Sequence, residues 1–159
     1  MRVAEHAKVA RVRAYAGERG VDIHIRRFAA STRTAQDAAR EIGVSVGEIV
    51  KSLVFVAGDR PIVVLCCGDR RVSEAALRDA LGADAVRRAT ADEAKRHTGY
   101  AIGGVPPFAH ELPCETVIDD AMSRFETVWA AAGLPDAVFE TTVADLRRLS
   151  GAKTARIAE

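Results

Sequence analysis

Several features that would place a chain in a specialised class are missing here. No apolar run is long enough to span a bilayer, and no apolar signal region stands at the N-terminus, so a cytoplasmic protein without membrane contact is expected. An excess of one charge is missing too. The formal net charge is +1, so any contact with nucleic acid must come from a local patch. The arginine pairs Arg26-Arg27, Arg70-Arg71, Arg87-Arg88 and Arg147-Arg148 are candidates, although such pairs ordinarily sit on solvated faces. Cysteine is scarce: Cys66, Cys67 and Cys114 are an odd number without metal-ligand spacing. The first two lie in an apolar run and read as small buried hydrophobes of a reducing compartment. No Walker loop or His-Glu-x-x-His motif occurs, and Gly43-Val44-Ser45-Val46-Gly47, which spells G-x-S-x-G, follows a helix rather than a strand and so is no nucleophile elbow; neither metal catalysis nor a cofactor has sequence support.

What remains is a chain of 159 residues, the size of one domain with a real core, and residues 1–159 contain no linker, repeat or low-complexity segment. Helix formers over 4–19, with stop signals at Gly17 and Gly20, predict a first helix. The alternation in Ile23-His24-Ile25-Arg26-Arg27-Phe28 predicts a half-buried strand with His24 on its polar side. Hydroxyl caps in Ser31-Thr32-Arg33-Thr34 precede a helix from Ala35 to Ile42 that Gly43 closes. A capping-box pattern at Ser45–Glu48 predicts a second short helix through Val50. The runs Lys51–Val56 and Ile62–Cys67, joined by Gly58-Asp59-Arg60-Pro61, read as an antiparallel hairpin whose second strand is buried on both faces. Helices over 73–82 and 90–97 flank a short strand at 86–89. Strands at 116–119, 127–130 and 137–141 and a helix from 143 to about 150 complete the chain, with a polar tail behind. The predicted class is α+β: a mixed, mostly antiparallel sheet or partial barrel flanked by helices.

Among the residues able to do chemistry, the stretch Thr98–Phe108 stands out. Gly103-Gly104 followed by Pro106-Pro107 makes a stiff loop whose amides can approach a ligand, or else simply a tight connection. Lys51 sits where a helical turn feeds a strand. There it either pairs with a phosphate or solvates the start of an edge strand. His97 and His110 flank the loop and are candidate bases if they point inward. Asp119 and Asp120 lie at a strand end, where a turn role competes with a functional one.

Four segments in order carry a resemblance: Thr32–Ala39, Ile49–Val54, Thr98–Phe108 and Val117–Asp119. Together they resemble the YbaK/EbsC-type aminoacyl-tRNA deacylases, relatives of the editing domain of bacterial prolyl-tRNA synthetases, over nearly the whole chain from about residue 20. The resemblance implies a metal-free, cofactor-free hydrolase acting in trans on the acceptor end of aminoacyl-tRNA, with a synthetase as transient partner. It implies that Lys51 orients the terminal nucleotide and that Gly103 through Pro107 cradle the aminoacyl group. Gly103 and Gly104 would supply carbonyl-facing amides, with Val105, Pro106 and Pro107 beside the substrate. Thr32 and Asp119 match motif positions that shape the pocket, with helix capping and a turn as their alternatives. The chain departs from the pattern at Pro106, where many relatives have serine or threonine, and at Ala109, where glycine is common. In Ala130-Ala131-Ala132-Gly133 it lacks both the histidine of alanine-specific relatives and the serine of cysteine-specific ones. The amino acid cleaved is therefore not implied.

Overall fold

The structure, a computed structural model, describes residues 5–29 and 34–159. Helix α1 (Ala7–Glu18) turns Val9, Val12 and Ala16 inward, at the spacing of one helical face. Strand β1 (Ile25–Arg27) follows. Helix α2 (Ala35–Ile42) begins on a reciprocal cap: the Thr34 hydroxyl accepts from the Asp37 amide, and the Asp37 carboxylate accepts from the Thr34 amide. It ends at Gly43, whose φ of 88° is open to glycine at little cost. The expected second short helix is only a 3-10 turn, Val46–Glu48, because Ile49 is already extended toward the next strand.

Strands β2 (Val50–Ala57) and β3 (Arg60–Cys67) form the predicted hairpin, paired from Val50↔Cys67 to Ala57↔Arg60. Helix α3 (Glu74–Leu81), the two-residue strand β4 (Arg87–Arg88) and helix α4 (Ala91–Thr98) come next. Strands β5 (Glu115–Asp119), β6 (Thr127–Ala131) and β7 (Ala137–Thr142) then lead to helix α5 (Val143–Ser150). The expected polar tail proves to be structural. Residues Lys153–Ala155 form β8, parallel to β5, and Ile157 is fully buried. Its polar residues hid the strand in the sequence, because β8 is a short edge paired on one side only.

Two sheets result: a mixed one in the order β4-β2-β3-β5-β8 and an antiparallel one in the order β1-β7-β6. Central β3 is buried on both faces. Val63, Leu65 and Cys67 join a core with Val9 and Val12 of α1, Ala94 of α4 and Leu146 of α5. Ile62 and Val64 pack with Leu77 of α3 and Ile157 on the other face. Burying each such large side chain contributes about 1.5–3 kcal/mol. A third cluster joins Phe28, Ala38, Ile49 and Val138. The α+β class and the mostly antiparallel pairing are those expected from the sequence. No helix among the described residues is long and apolar enough to cross a membrane.

Candidate functional site

The site begins with a strand that lacks a neighbour. β4 covers β2 only at Phe55 and Val56, with one further bond from Ala89 N–H to the Val54 carbonyl. On the same side, β6 touches this region through a single parallel bridge, Ile49 to Trp129. Between the open edge of β2 and the edge of β6 lies a cleft of about 280 Å³, lined by residues 50–54 on one side and by Trp129 and Ala131 on the other. Thr34, Ala35 and Ala38 of α2 and the Ile102-Gly103-Val105 segment complete the enclosure. Small-molecule sites have this form, an apolar wall with a few polar groups. Backbone groups alternate along a strand. Since the Val54 carbonyl faces β4, the Ser52 N–H and carbonyl face the open edge.

Lys51 and Gly103, remote in the chain, line this same cleft. The Lys51 ammonium donates to the Arg70 carbonyl at 2.6 Å, which holds it in a half-buried position at the margin. Side chains alternate too. Lys51 and Leu53 share the Phe55 face of β2, whereas Ser52 shares the face of Val50 and Val54. Ser52 Oγ is buried and has no hydrogen-bond partner among the described residues.

The two loop glycines differ. Gly103, with φ 90°, is exposed, and a Cβ there would meet only the Pro135 ring, at 3.7 Å. Its N–H has no hydrogen-bond acceptor among the described residues. The Gly104 N–H already donates to the Ala101 carbonyl at 2.9 Å, and a Cβ there would lie 2.9 Å from Leu134 Cα. Gly104 is thus required for close packing rather than placed to offer an amide to the cleft. Val105 lines the cleft, whereas Pro106 and Pro107 are buried outside its lining. They lead into Phe108, which stacks on Tyr15 with ring centres 5.1 Å apart and so anchors the loop in the core.

Other candidates are turned to structural work. The buried Asp119 carboxylate lies outside the cleft lining and accepts from Ala121, Ile157 and Ala158 amides, fixing the C-terminal segment against β5. His110 Nε2 donates to the Pro106 carbonyl at 2.7 Å, and burial holds the imidazole below its ordinary pKa. Neither His110 nor His97 lines the cleft. Cys66 stands opposite Lys51 in the hairpin register. Burial pushes its thiol up to about 12, against the pull of the Lys51 ammonium, so it stays protonated and is a poor nucleophile. Thr32 lies outside the described residues, and Thr34 is the cap that reaches the cleft. No group of three or more His, Cys, Asp or Glu among the described residues is arranged to hold a metal ion.

Comparison with known proteins places this geometry. Residues 29–149 match the sequence profile of the aminoacyl-tRNA editing domain. The chain belongs to that family. It is 35% identical over 127 residues to the uncharacterised protein YwhH of Bacillus subtilis (strain 168), covering 79% of this chain and 80% of that protein. It is 31% identical over 112 residues to the proline–tRNA ligase of Lactobacillus helveticus (strain DPC 4571), covering 70% of this chain but only 20% of the ligase. A crystal structure of a protein proposed to be a trans-editing enzyme for prolyl tRNA synthetase superposes with a TM-score of 0.92 at 37% identity, covering 98% of this chain and 99% of that one.

In this editing domain, three cleft residues escaped sequence reasoning. Trp129 and Ser52 read as ordinary members of predicted strands, and Arg88 as half of an arginine pair of the kind that ordinarily sits on a solvated face. Only Ser52 carried a usable signal, its place beside Lys51. The other two reach the cleft through pairings between distant segments.

Proposed function

We propose that the chain is a trans-acting hydrolase that cleaves the ester between a mischarged amino acid and the 3′-terminal ribose of tRNA. The observation carrying this reading is that Lys51 and Gly103 line one cleft. Family membership supports an aminoacyl-tRNA substrate, and the match to a segment of proline–tRNA ligases supports work beside a synthetase in a transient complex.

In this reading Lys51 orients the tRNA 3′ end as a point charge, and the Gly103 N–H faces the ester carbonyl, with Val105 against the aminoacyl group. Water adds to the carbonyl carbon, the bond from that carbon to the ribose oxygen breaks, and the ribose oxygen takes the proton that water gives up. The products are a free amino acid and tRNA with its terminal hydroxyls restored. The ester is already activated, so fixed position and one amide go far toward the required rate. Hydroxyl or amine groups of the substrate itself can assist the proton transfer. In this reading the amide role falls to Gly103 rather than to the Gly103-Gly104 pair, because the Gly104 N–H donates to the Ala101 carbonyl.

That same feature favours a second reading. With Gly104 engaged and Pro106 lacking an amide, the loop is poorer in donors than the glycine pair suggested, which suits a module that holds a tRNA end or nucleotide without turnover. A deacylation panel over tRNAs charged with different wrong amino acids separates the two. The enzyme reading expects rapid hydrolysis of at least one of them and a loss of about 10²-fold or more in Gly103→Val, which fills the cleft beside the carbonyl. Binding of tRNA with no hydrolysis across the panel would favour the module, and unchanged turnover in Gly103→Val would remove the loop from the site.

A further inference from the structure

Arg87 and Arg88 are adjacent in sequence but differ in circumstance. Arg87 is engaged: its guanidinium makes a two-pronged pair with Glu93, at 2.7 and 2.8 Å. Arg88 is exposed, lines the cleft, and forms no ion pair with any described residue. β4 pairs Arg88 with Phe55, and its guanidinium carbon lies 5.4 Å from the centre of that ring. The stacking fixes its face. Lys51 and Phe55 lie on the same face of β2, about 13 Å apart at the usual rise per residue, and Arg88 stands beside Phe55, so Lys51 and Arg88 flank the open edge on one side of the sheet. A lysine held by a carbonyl and an arginine resting on a ring therefore form a cationic lip along one margin of an otherwise apolar cleft.

We propose that Arg88 is a second substrate-positioning residue, which grips a backbone phosphodiester of the single-stranded RNA 3′ end while Lys51 holds the terminal nucleotide. The inference rests on the editing reading above and extends it to a residue that no family motif singled out. Guanidinium suits the task, since its planar fork meets two phosphate oxygens at once and is only weakly hydrated. Two spaced cations on one strand edge suit a ligand whose negative charges repeat along a chain. A ligand with one anionic group inside the cleft would need only one of them. Arg88 also stands at the mouth, where a phosphodiester passes, and it is exposed, whereas the cleft interior is apolar.

The test uses the full chain and uncharged tRNA, read by fluorescence anisotropy over a salt series, beside deacylation kinetics on whichever charged tRNA is hydrolysed. Arg88→Ala is expected to weaken RNA binding about five- to tenfold at low salt. It should also reduce the slope of log affinity against log salt by about 0.7, the loss of one contact to single-stranded phosphate. In kinetics KM rises while kcat moves little, and Arg88→Lys restores the salt slope. Arg88→Met keeps an apolar stem over Phe55 and so separates lost charge from lost packing; it is expected to behave as Arg88→Ala does while melting like the wild type. Wild-type affinity and slope in both Arg88→Ala and Arg88→Met would overturn the assignment. So would a defect confined to hydrolysis of acidic aminoacyl groups with RNA binding intact. If RNA binding depends on Arg88 but no mischarged tRNA is hydrolysed, the phosphate contact stands and the hydrolase reading falls. Hydrolysis with no dependence on Arg88 gives the reverse.

Discussion

The two halves of one strand, β2, meet different fates. At Phe55 and Val56 the strand lies between β3 and β4, and the side chains from Phe55 to Ala57 are buried; Phe55 is 1% exposed. From Val50 to Leu53 it keeps β3 on one side and opens on the other to the cleft. The open half carries Lys51 and Ser52 and the closed half is apolar throughout, but side-chain composition does not decide which edge is covered. A neighbouring strand does, because an edge without a partner leaves backbone groups and alternate side chains available to a ligand. In this fold the site is an interruption of the sheet, made where the β1-β7-β6 sheet fails to continue the pairing beyond the Ile49–Trp129 bridge.

Substitutions along the strand sharpen that contrast. In the closed half, Phe55→Ala is expected to lower stability by about 3–5 kcal/mol, measured by urea or thermal unfolding, since it empties a packed position and removes the platform under Arg88. A loss below about 1 kcal/mol would mean that this half is not the rigid part. In the open half, Lys51→Ala is expected to lower deacylation by about 10²-fold while costing no more than about 1–2 kcal/mol, the worth of one charge-assisted hydrogen bond to Arg70. Wild-type turnover in that variant would break the distinction between the halves. Ser52→Ala is the mildest. It removes a buried hydroxyl without a partner, so stability should hold or rise by up to about 1 kcal/mol, while deacylation falls about three- to tenfold if the hydroxyl bonds the substrate. Destabilisation instead would make the hydroxyl part of the frame.

Local signals in the chain were good guides to local structure. The Thr34–Asp37 reciprocal cap, the Gly43 stop, the apolar run of β3 and the boundaries of α5 all follow from short-range rules, and each is present. The 3-10 turn at Val46–Glu48 and the pairing of β8 were less legible, because both depend on what the segment meets after it folds. The same division runs through the site. Lys51 and the glycine-proline loop were visible as unusual residues and as a resemblance. Their meeting across one cleft was implied by the resemblance and by no local signal, and the diversion of Asp119 and the Gly104 amide to internal bonds was not visible at all. Ala109 is an instructive case. It takes the left-handed conformation, φ 64°, at a position where the resemblance led to an expectation of glycine, and its carbonyl accepts from the Tyr100 hydroxyl. An L residue pays for that conformation, by about 1–2 kcal/mol, and only the surrounding fold can hold it there.

By itself the sequence determined the class of the fold, the order of its α-helices and of its strands up to β7, and which segments were unusual enough to carry chemistry, because capping, periodicity and backbone restriction act over a few neighbouring residues. Tertiary structure alone decided which of two adjacent arginines is held in an ion pair, which of two adjacent glycines has its amide taken by an internal carbonyl, and where a strand edge is left open. Those outcomes turn on a neighbour that arrives from a distant part of the chain and either takes a hydrogen bond or leaves it open.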